Sequence, residues 1–295
     1  MDISDLRVFE AVSRHGSMNR AAQELNTVQS NVTARIRVLE EELGVSLFQR
    51  HARGVSTTPA GQRILPFVGR ITKLLADARS AAQDDGEPNG ALVLGSLETT
   101  TALRLSPLLS HFARTYPEVR LVVTTGTTRR LIDDVVECKL EGAFVAGPVS
   151  HPDLDQEVVF QEELVLITSR AIHAMDDLAK VLDLRTIVFQ IGCSYRQRLE
   201  TLLAEMGIVT AKPLEFGSLD AIISCVAAGV GIALLPKGIV AAAWQEGRIA
   251  VHELSPDRAL VDTVFVRRKD GYRSSAMTAL LDMMRSKSIP PSSKP

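Results

Sequence analysis

Residues 29–37 crowd together side chains that suit nucleic-acid bases: Gln29, Ser30, Asn31, Thr33, Arg35 and Arg37. Glutamine and asparagine amides match the edge of adenine, a guanidinium matches guanine, and small hydroxyls permit close approach. Downstream, Arg50 and Arg53 stand in a short polar stretch where they would meet phosphate. Between residues 14 and 73, nine Lys and Arg stand against four acids, whereas the 295-residue chain carries a net charge of −2. A basic segment in a near-neutral chain points to a polyanion. A solvated helical face would carry the same charge, so periodicity has to separate the two readings.

Periodicity places these residues on short helices. Ile3, Leu6, Phe9 and Val12 recur every three residues and lay one apolar stripe along a first helix ending near Gly16. Ser17 is suited to cap a second helix, about residues 18–25, whose Ala21-Ala22 allows close helix approach. In a third helix Val28, Val32, Ile36, Leu39 and Leu43 face a core, leaving the base-reading set outward or flanking, and Gly44 closes it. Phe48 to Thr58 then reads as two strands turning at Gly54. Three helices and such a ribbon form a winged helix-turn-helix, whose second motif helix enters the major groove.

A second group of candidates lies in four hydroxyl-bearing loops: Glu98-Thr99-Thr100-Thr101, Gly126-Thr127-Thr128, Gly192-Cys193-Ser194 and Gly217-Ser218. Each precedes or opens a helical segment. Unpaired helix N–H groups beside Ser and Thr oxygens make an anion site, commonly for a carboxylate. Taken singly, each hydroxyl reads better as a plain N-cap; four such loops expected at one cleft reverse that preference for the group. From Ala91 onward, short apolar runs at 91–95, 120–125, 142–146, 164–168, 186–190, 213–216, 231–235 and 262–267 alternate with helical segments, the pattern of βαβ units. Between the two regions Pro59 opens a long helix in which Ile64, Val68, Ile71, Leu75 and Ala78 form a heptad-like stripe suited to dimerisation. Residues 84–90, rich in Asp, Gly and Pro, make a hinge.

Other classes of chemistry find little support. The six histidines show no HxH or HExxH spacing, no GxSxG elbow is present, and Gly229-Val230-Gly231 lacks the third glycine of a dinucleotide fingerprint. Three cysteines are too few and too scattered for a disulfide framework. Cys193 is the one reactive candidate, because a helix N-terminus with Arg196 and Arg198 nearby lowers a thiol pKa. Cys138 sits on an unrelated helix and Cys225 reads as core-facing, so no resolving partner is evident for a redox role. The longest apolar stretch, residues 225–235, is about half of what a bilayer span needs. The acidic start Met1-Asp2-Ile3-Ser4-Asp5 lacks a basic leader. A cytoplasmic location is expected, with no membrane association, no metal, no cofactor and no enzymatic activity.

The chain resembles the LysR-type transcriptional regulators. The likeness rests on Leu6-Arg7-Val8-Phe9, Gly16-Ser17-Met18-Asn19-Arg20-Ala21-Ala22-Gln23-Glu24-Leu25, Gln29-Ser30-Asn31-Val32, Leu39-Glu40-Glu41-Glu42-Leu43-Gly44, Leu47-Phe48-Gln49-Arg50 and Thr58-Pro59-Ala60-Gly61. It continues in Phe112 with Tyr116-Pro117 and in residues 226–236. Where the family often carries Pro-x-x-Ser-Arg in its recognition helix, this chain has Ser30, Thr33 and Ala34. The resemblance implies an α/β fold class with an N-terminal all-α winged helix-turn-helix (1–58), a linker and dimerisation helix with hinge (59–89), and a periplasmic-binding-protein-like domain of two α/β subdomains (90–295). Lobe I would comprise about 90–160 and 263–287, lobe II about 161–262, with an effector held between them. The implied function is a ligand-responsive DNA-binding regulator. Its DNA-binding set is Gln29, Ser30, Asn31, Thr33, Arg35, Arg37, Arg50 and Arg53. Its effector-binding set is Glu98, Thr99, Thr100, Thr128, Cys193, Ser194 and Ser218. The expected partners are double-stranded DNA, a small anionic effector, further copies of the chain as homodimer or homotetramer, and RNA polymerase. Two alternatives are a redox-responsive regulator sensing through Cys193, as the family's peroxide sensors do, and a small-molecule binding protein with an interaction domain.

Overall fold

A computed structural model describes residues 1–52, 54–210 and 212–287. The chain divides into two compact units, one of residues 1–84 with 137–139 and one of the remaining described residues.

The first unit opens with three helices, α1 (Ile3–His15), α2 (Met18–Glu24) and α3 (Gln29–Leu43). A two-stranded wing, β1 (Phe48–His51) and β2 (Gly54–Thr57), leads into the long α4 (Pro59–Gln83). Gly16 ends α1 in the left-handed conformation, and the Ser17 hydroxyl accepts from the Arg20 N–H to start α2. Phe9, Val12, Ala21, Val32, Leu39 and Leu47 are fully enclosed. Phe48 anchors the wing to this core, its ring centroid 5.2 Å from that of Phe9. Val28 departs from the expected stripe: it is the N-cap of α3 and 64% exposed, because a residue before the first helical turn is not held to the helical face. Ile3 and Leu43 are exposed too, since each is the terminal residue of its helix, beyond the reach of the core. The stripe on α4 also divides. Val68 is only 2% exposed and joins Ile64 and Ile71 against the core of this unit, so three of the five stripe positions are not a free seam. Phe67 and Leu74, seven residues apart, are 61% and 54% exposed instead.

The second unit begins with β3 (Gly90–Ser96) and α5 (Glu98–Thr100), which passes through a π-helical turn, Thr101–Leu105, into α6 (Ser106–Thr115). There follow β4 (Val119–Thr125), α7 (Thr128–Val136), β5 (Gly142–Ala146) and the long β6 (Leu154–Thr168). After a 3-10 turn at Met175–Lys180 come β7 (Ile187–Val188), α8 (Ser194–Glu205), β8 (Leu214–Glu215), α9 (Leu219–Ala227), β9 (Ala233–Pro236) and α10 (Lys237–Gln245). The unit closes with β10 (Ala250–Glu253), α11 (Pro256–Ala259), β11 (Leu260–Arg268) and α12 (Ser275–Lys287).

The main sheet runs β10-β6-β11-β5-β3-β4, with β9 also on β6. β3 pairs parallel with β4 and β5, whereas β11 pairs antiparallel with β5 and β6. β6 serves two lobes. Nine of its first ten residues pair with β11, and Leu164 to Thr168 pair with β9 and β10. At the junction Phe160 faces Thr263 while Val158 faces Val264, so Val159 is an extra residue that bends the strand. The sequence signals only the last third of β6, since the acid-rich residues 154–163 are mostly half-buried or exposed. It leaves β10, α10 and α12 unannounced. One lobe packs α6 and α12 on Phe112, Phe144 and Phe265; the other packs α9 and α10 on Val165, Ile167 and Leu235. Each enclosed Phe contributes about 1.5–3 kcal/mol through removal of apolar surface from water.

Candidate functional site

On α3 the residues that point away from the core are Ser30, Ala34 and Arg37, at spacings of four and three, with Asn31 and Val38 beside them. Ala34 and Val38 are exposed on this face too, although their residue types carry no base-reading chemistry. The spacing that sends Val32 and Ile36 inward sends Ala34 outward. Gln29 is exposed in the first turn and Thr33 is half-buried on the flank. The Asn31 amide donates to the Thr27 hydroxyl at 2.9 Å, which orients it and leaves its carbonyl available. Arg37 donates to Glu41 at 2.7 Å, a solvent-exposed pair that water and salt weaken.

Arg35 is placed differently from the expectation. Its guanidinium donates to the buried Asp5 carboxylate of α1 at 2.9 Å, and the second Asp5 oxygen accepts the Asp2 N–H at 3.2 Å. It therefore joins α3 to α1, as a brace of the head. The wing is set by Glu40, whose carboxylate accepts the Leu47 and Phe48 N–H groups at 2.6 and 3.1 Å. Arg50 is exposed on β1, and Arg53 lies outside the described residues. Gly54 is the first residue of β2, opposite His51, and not the tip of the turn. Its φ is +133°, and a Cβ there would stand 2.4 Å from the Gly16 carbonyl oxygen, which already accepts from Val55 N–H at 3.1 Å. Only glycine lets the wing lie this close to the α1–α2 turn.

In the second unit a cavity of about 340 Å³ opens between the lobes. It brings together Glu98, Thr99, Cys193 and Ser194 of the sequence-derived set. Thr100, Thr128 and Ser218 are placed elsewhere. Thr100 is buried beside Thr99, Thr128 accepts the Ala146 N–H at 3.4 Å, and Ser218 is exposed at the start of α9. The cavity also takes Thr127, from the Gly126-Thr127-Thr128 loop, and Arg130, Gln190 and Tyr195, which stand outside the sequence-derived set. Arg130 was detectable as the cation one turn into the helix that the Gly126-Thr127-Thr128 loop opens. Three contacts tie the lobes around this space. Thr99 and Tyr195 hydroxyls lie 3.4 Å apart, Arg129 N–H donates to the Gly192 carbonyl at 3.4 Å, and Leu219 N–H donates to the Glu98 carboxylate at 3.5 Å. Glu98 is thus turned toward the N-terminus of α9.

Burial pushes the Tyr195 phenol up to about 12, so it remains a neutral donor. Burial likewise raises the Cys193 thiol, outweighing the Arg196 and Tyr195 N–H groups that pull it down. This corrects the expectation of a thiol activated by its helix N-terminus: desolvation disfavours the thiolate more than the helix end favours it. Among the described residues no group of three or more His, Cys, Asp or Glu is arranged to hold a metal, and no helix is long and apolar enough to cross a membrane.

Comparison with known proteins agrees with both halves of the chain. Residues 3–62 match the bacterial regulatory helix-turn-helix protein, lysR family, and residues 85–288 match the LysR substrate binding domain. The chain is 44% identical over 285 residues to the HTH-type transcriptional regulator GltR of Bacillus subtilis, covering 97% of this chain and 96% of that one. It is 43% identical over 282 residues to YofA of the same organism, covering 96% and 98%. Its fold is similar to full-length OxyR from Pseudomonas aeruginosa, with TM-score 0.72 at 22% identity over 97% of this chain and 95% of that one. It is also similar to full-length CbnR complexed with its target DNA, with TM-score 0.67 at 24% identity over 97% and 99%.

A winged helix-turn-helix and a two-lobed α/β domain in one chain define a DNA-binding transcription regulator and not an enzyme. The chain belongs to the LysR-type transcriptional regulators, with a C-terminal effector-binding domain.

Proposed function

We propose that this regulator reads operator DNA with the outer face of α3 and holds it with the wing, and that a small anionic effector in the interlobe cavity switches it. The observation that carries the effector reading is the cavity itself, built from both lobes with Arg130 as its cation and Thr99, Thr127 and Ser194 as hydroxyl donors. A carboxylate there gains charge-assisted hydrogen bonds, and the starts of α7 and α8 add about 0.3–1 kcal/mol each. An effector touching both lobes binds one interlobe arrangement more tightly than another, as a population shift requires. Ser30, Asn31 and Arg37 suit base edges, and Arg50 suits phosphate. Phe67 and Leu74 offer an apolar stripe on α4 for a homodimer, on which a homotetramer could be built. RNA polymerase remains the expected further partner, without an assigned surface.

The test is a thermal-shift screen of small carboxylates against the full chain, followed by alkylation of Cys193 with and without each hit. An effector in this cavity should protect Cys193, and Arg130→Gln should weaken it about tenfold. A carboxylate that alters operator binding, leaves Cys193 fully reactive and ignores Arg130→Gln would place the effector elsewhere. The redox alternative is not favoured, because a buried thiol with a raised pKa reacts slowly with peroxide.

A further inference from the structure

Ser194 also borders a second cavity, of about 430 Å³. One wall is a single face of α8, carrying Arg198, Leu202 and Glu205. Opposite stand Thr128 and the backbone of residues 146–148 from one lobe, and Leu234, Leu254, Asp257 and Arg258 from the other.

The charges in this cavity are separated. Arg198 is half-buried and has no ion pair among the described residues. Seven residues further along α8, Glu205 accepts from Arg258 at 2.8 Å, and Asp257 lies 3.9 Å from the same guanidinium. One end therefore carries an unmatched positive charge, and the other carries two carboxylates sharing one cation. The helical rise sets the Cα atoms of Arg198 and Glu205 about 10 Å apart. Between them the buried side chains of Leu202 and Leu234 supply apolar surface. The Ser255 hydroxyl beside Asp257 holds its carboxyl below the usual range, so it stays ionised at neutral pH. Thr128 accepts from Ala146 N–H, which leaves its own hydroxyl proton for a ligand.

We propose that this second cavity binds a zwitterion whose carboxylate and ammonium are separated by an aliphatic chain. The carboxylate meets Arg198 and the Thr128 hydroxyl, the chain lies on Leu202 and Leu234, and the ammonium enters between Glu205 and Asp257. A simple anion would satisfy Arg198 and leave its tail beside the carboxylates. A simple cation would do the reverse. A short zwitterion such as glycine cannot reach both ends. This assignment is independent of which effector the first cavity takes.

The probe is 6-aminohexanoate, titrated calorimetrically into the full chain beside hexanoate, hexylamine and glycine. Only 6-aminohexanoate should bind with a Kd near or below about 1 mM, a threshold that corresponds to −4.1 kcal/mol. Arg198→Gln should raise that Kd at least tenfold, Arg198→Lys should recover part of the loss, and Asp257→Asn with Glu205→Gln should raise it at least tenfold. The thermal midpoint of each variant without ligand reports that it has folded. Hexanoate binding as tightly as 6-aminohexanoate, affinity indifferent to Arg198→Gln, or no binding at about ten times that concentration would each overturn the proposal.

Discussion

Arg104 and Glu162 meet in a bidentate pair, Nε to Oε1 at 2.6 Å and Nη2 to Oε2 at 3.3 Å. Arg104 lies in the π-helical turn just after Thr99 and Thr100, and Glu162 is buried on β6 beside the Val159 bulge. The guanidinium also stands 5.9 Å from the ring centre of Phe160. The helix that brings Thr99 to the cavity is therefore fastened to the strand that passes between the lobes. π-Helical turns recur at functional sites, and this one aims Arg104 at the strand that passes between the lobes.

Arg104→Ala should lower stability by about 1–3 kcal/mol, since it leaves the Glu162 carboxylate buried without its donor. Urea unfolding reads this. Adding Glu162→Gln should recover part of the loss, and strictly additive effects in that double-mutant cycle would mean that the pair is not coupled.

Arg35 and Arg50 should behave differently on DNA. Arg35→Ala should cost about 1–2 kcal/mol of stability, because Asp5 loses its partner, and should leave the salt dependence of DNA binding unchanged. Arg50→Ala should leave stability nearly intact and reduce the salt slope by about one unit. A reduced slope for Arg35→Ala would return that residue to the groove.

Gly54→Ala should destabilise the wing by more than about 1 kcal/mol, through a strained φ and contact with the Gly16 carbonyl. Operator affinity should fall while the helices keep their circular dichroism. An unchanged affinity would show that the wing does not touch DNA.

Cys193 should alkylate more slowly in the native protein than in the unfolded chain at neutral pH, because burial both shields the sulfur and raises its pKa. The rate should climb as pH rises above the usual thiol range. Fast modification at pH 7 would revive redox sensing.

Leu74→Asp should produce monomers in light scattering, because it charges an exposed apolar position seven residues from Phe67. Val68→Asp should instead destabilise the head itself, since Val68 is enclosed in that core. A fully dimeric Leu74→Asp would move the interface off this face of α4.

What the sequence determined by itself is local or periodic. The stripe Leu6, Phe9, Val12 and the inward set Val32, Ile36, Leu39 define their helices, because each residue's face follows from its spacing alone. Gly16 and Ser17 mark a helix end and a helix start for backbone reasons that need no distant partner. The family was legible for the same reason, since its motifs are runs of neighbouring residues. Tertiary structure decided whatever depended on residues remote in the chain. Arg35 turns to Asp5, thirty residues away, because a buried carboxylate demands a donor. Gly54 answers to Gly16 across the wing, Val68 to the core of the head, and Arg104 to Glu162. The hydroxyl-bearing loops could be named from the sequence, but which hydroxyls face a common space could not. Thr127 and Thr128 are neighbours that end in different cavities, because consecutive side chains at a helix start diverge and only the opposite lobe settles which of them meets Ser194, Cys193 or Arg198.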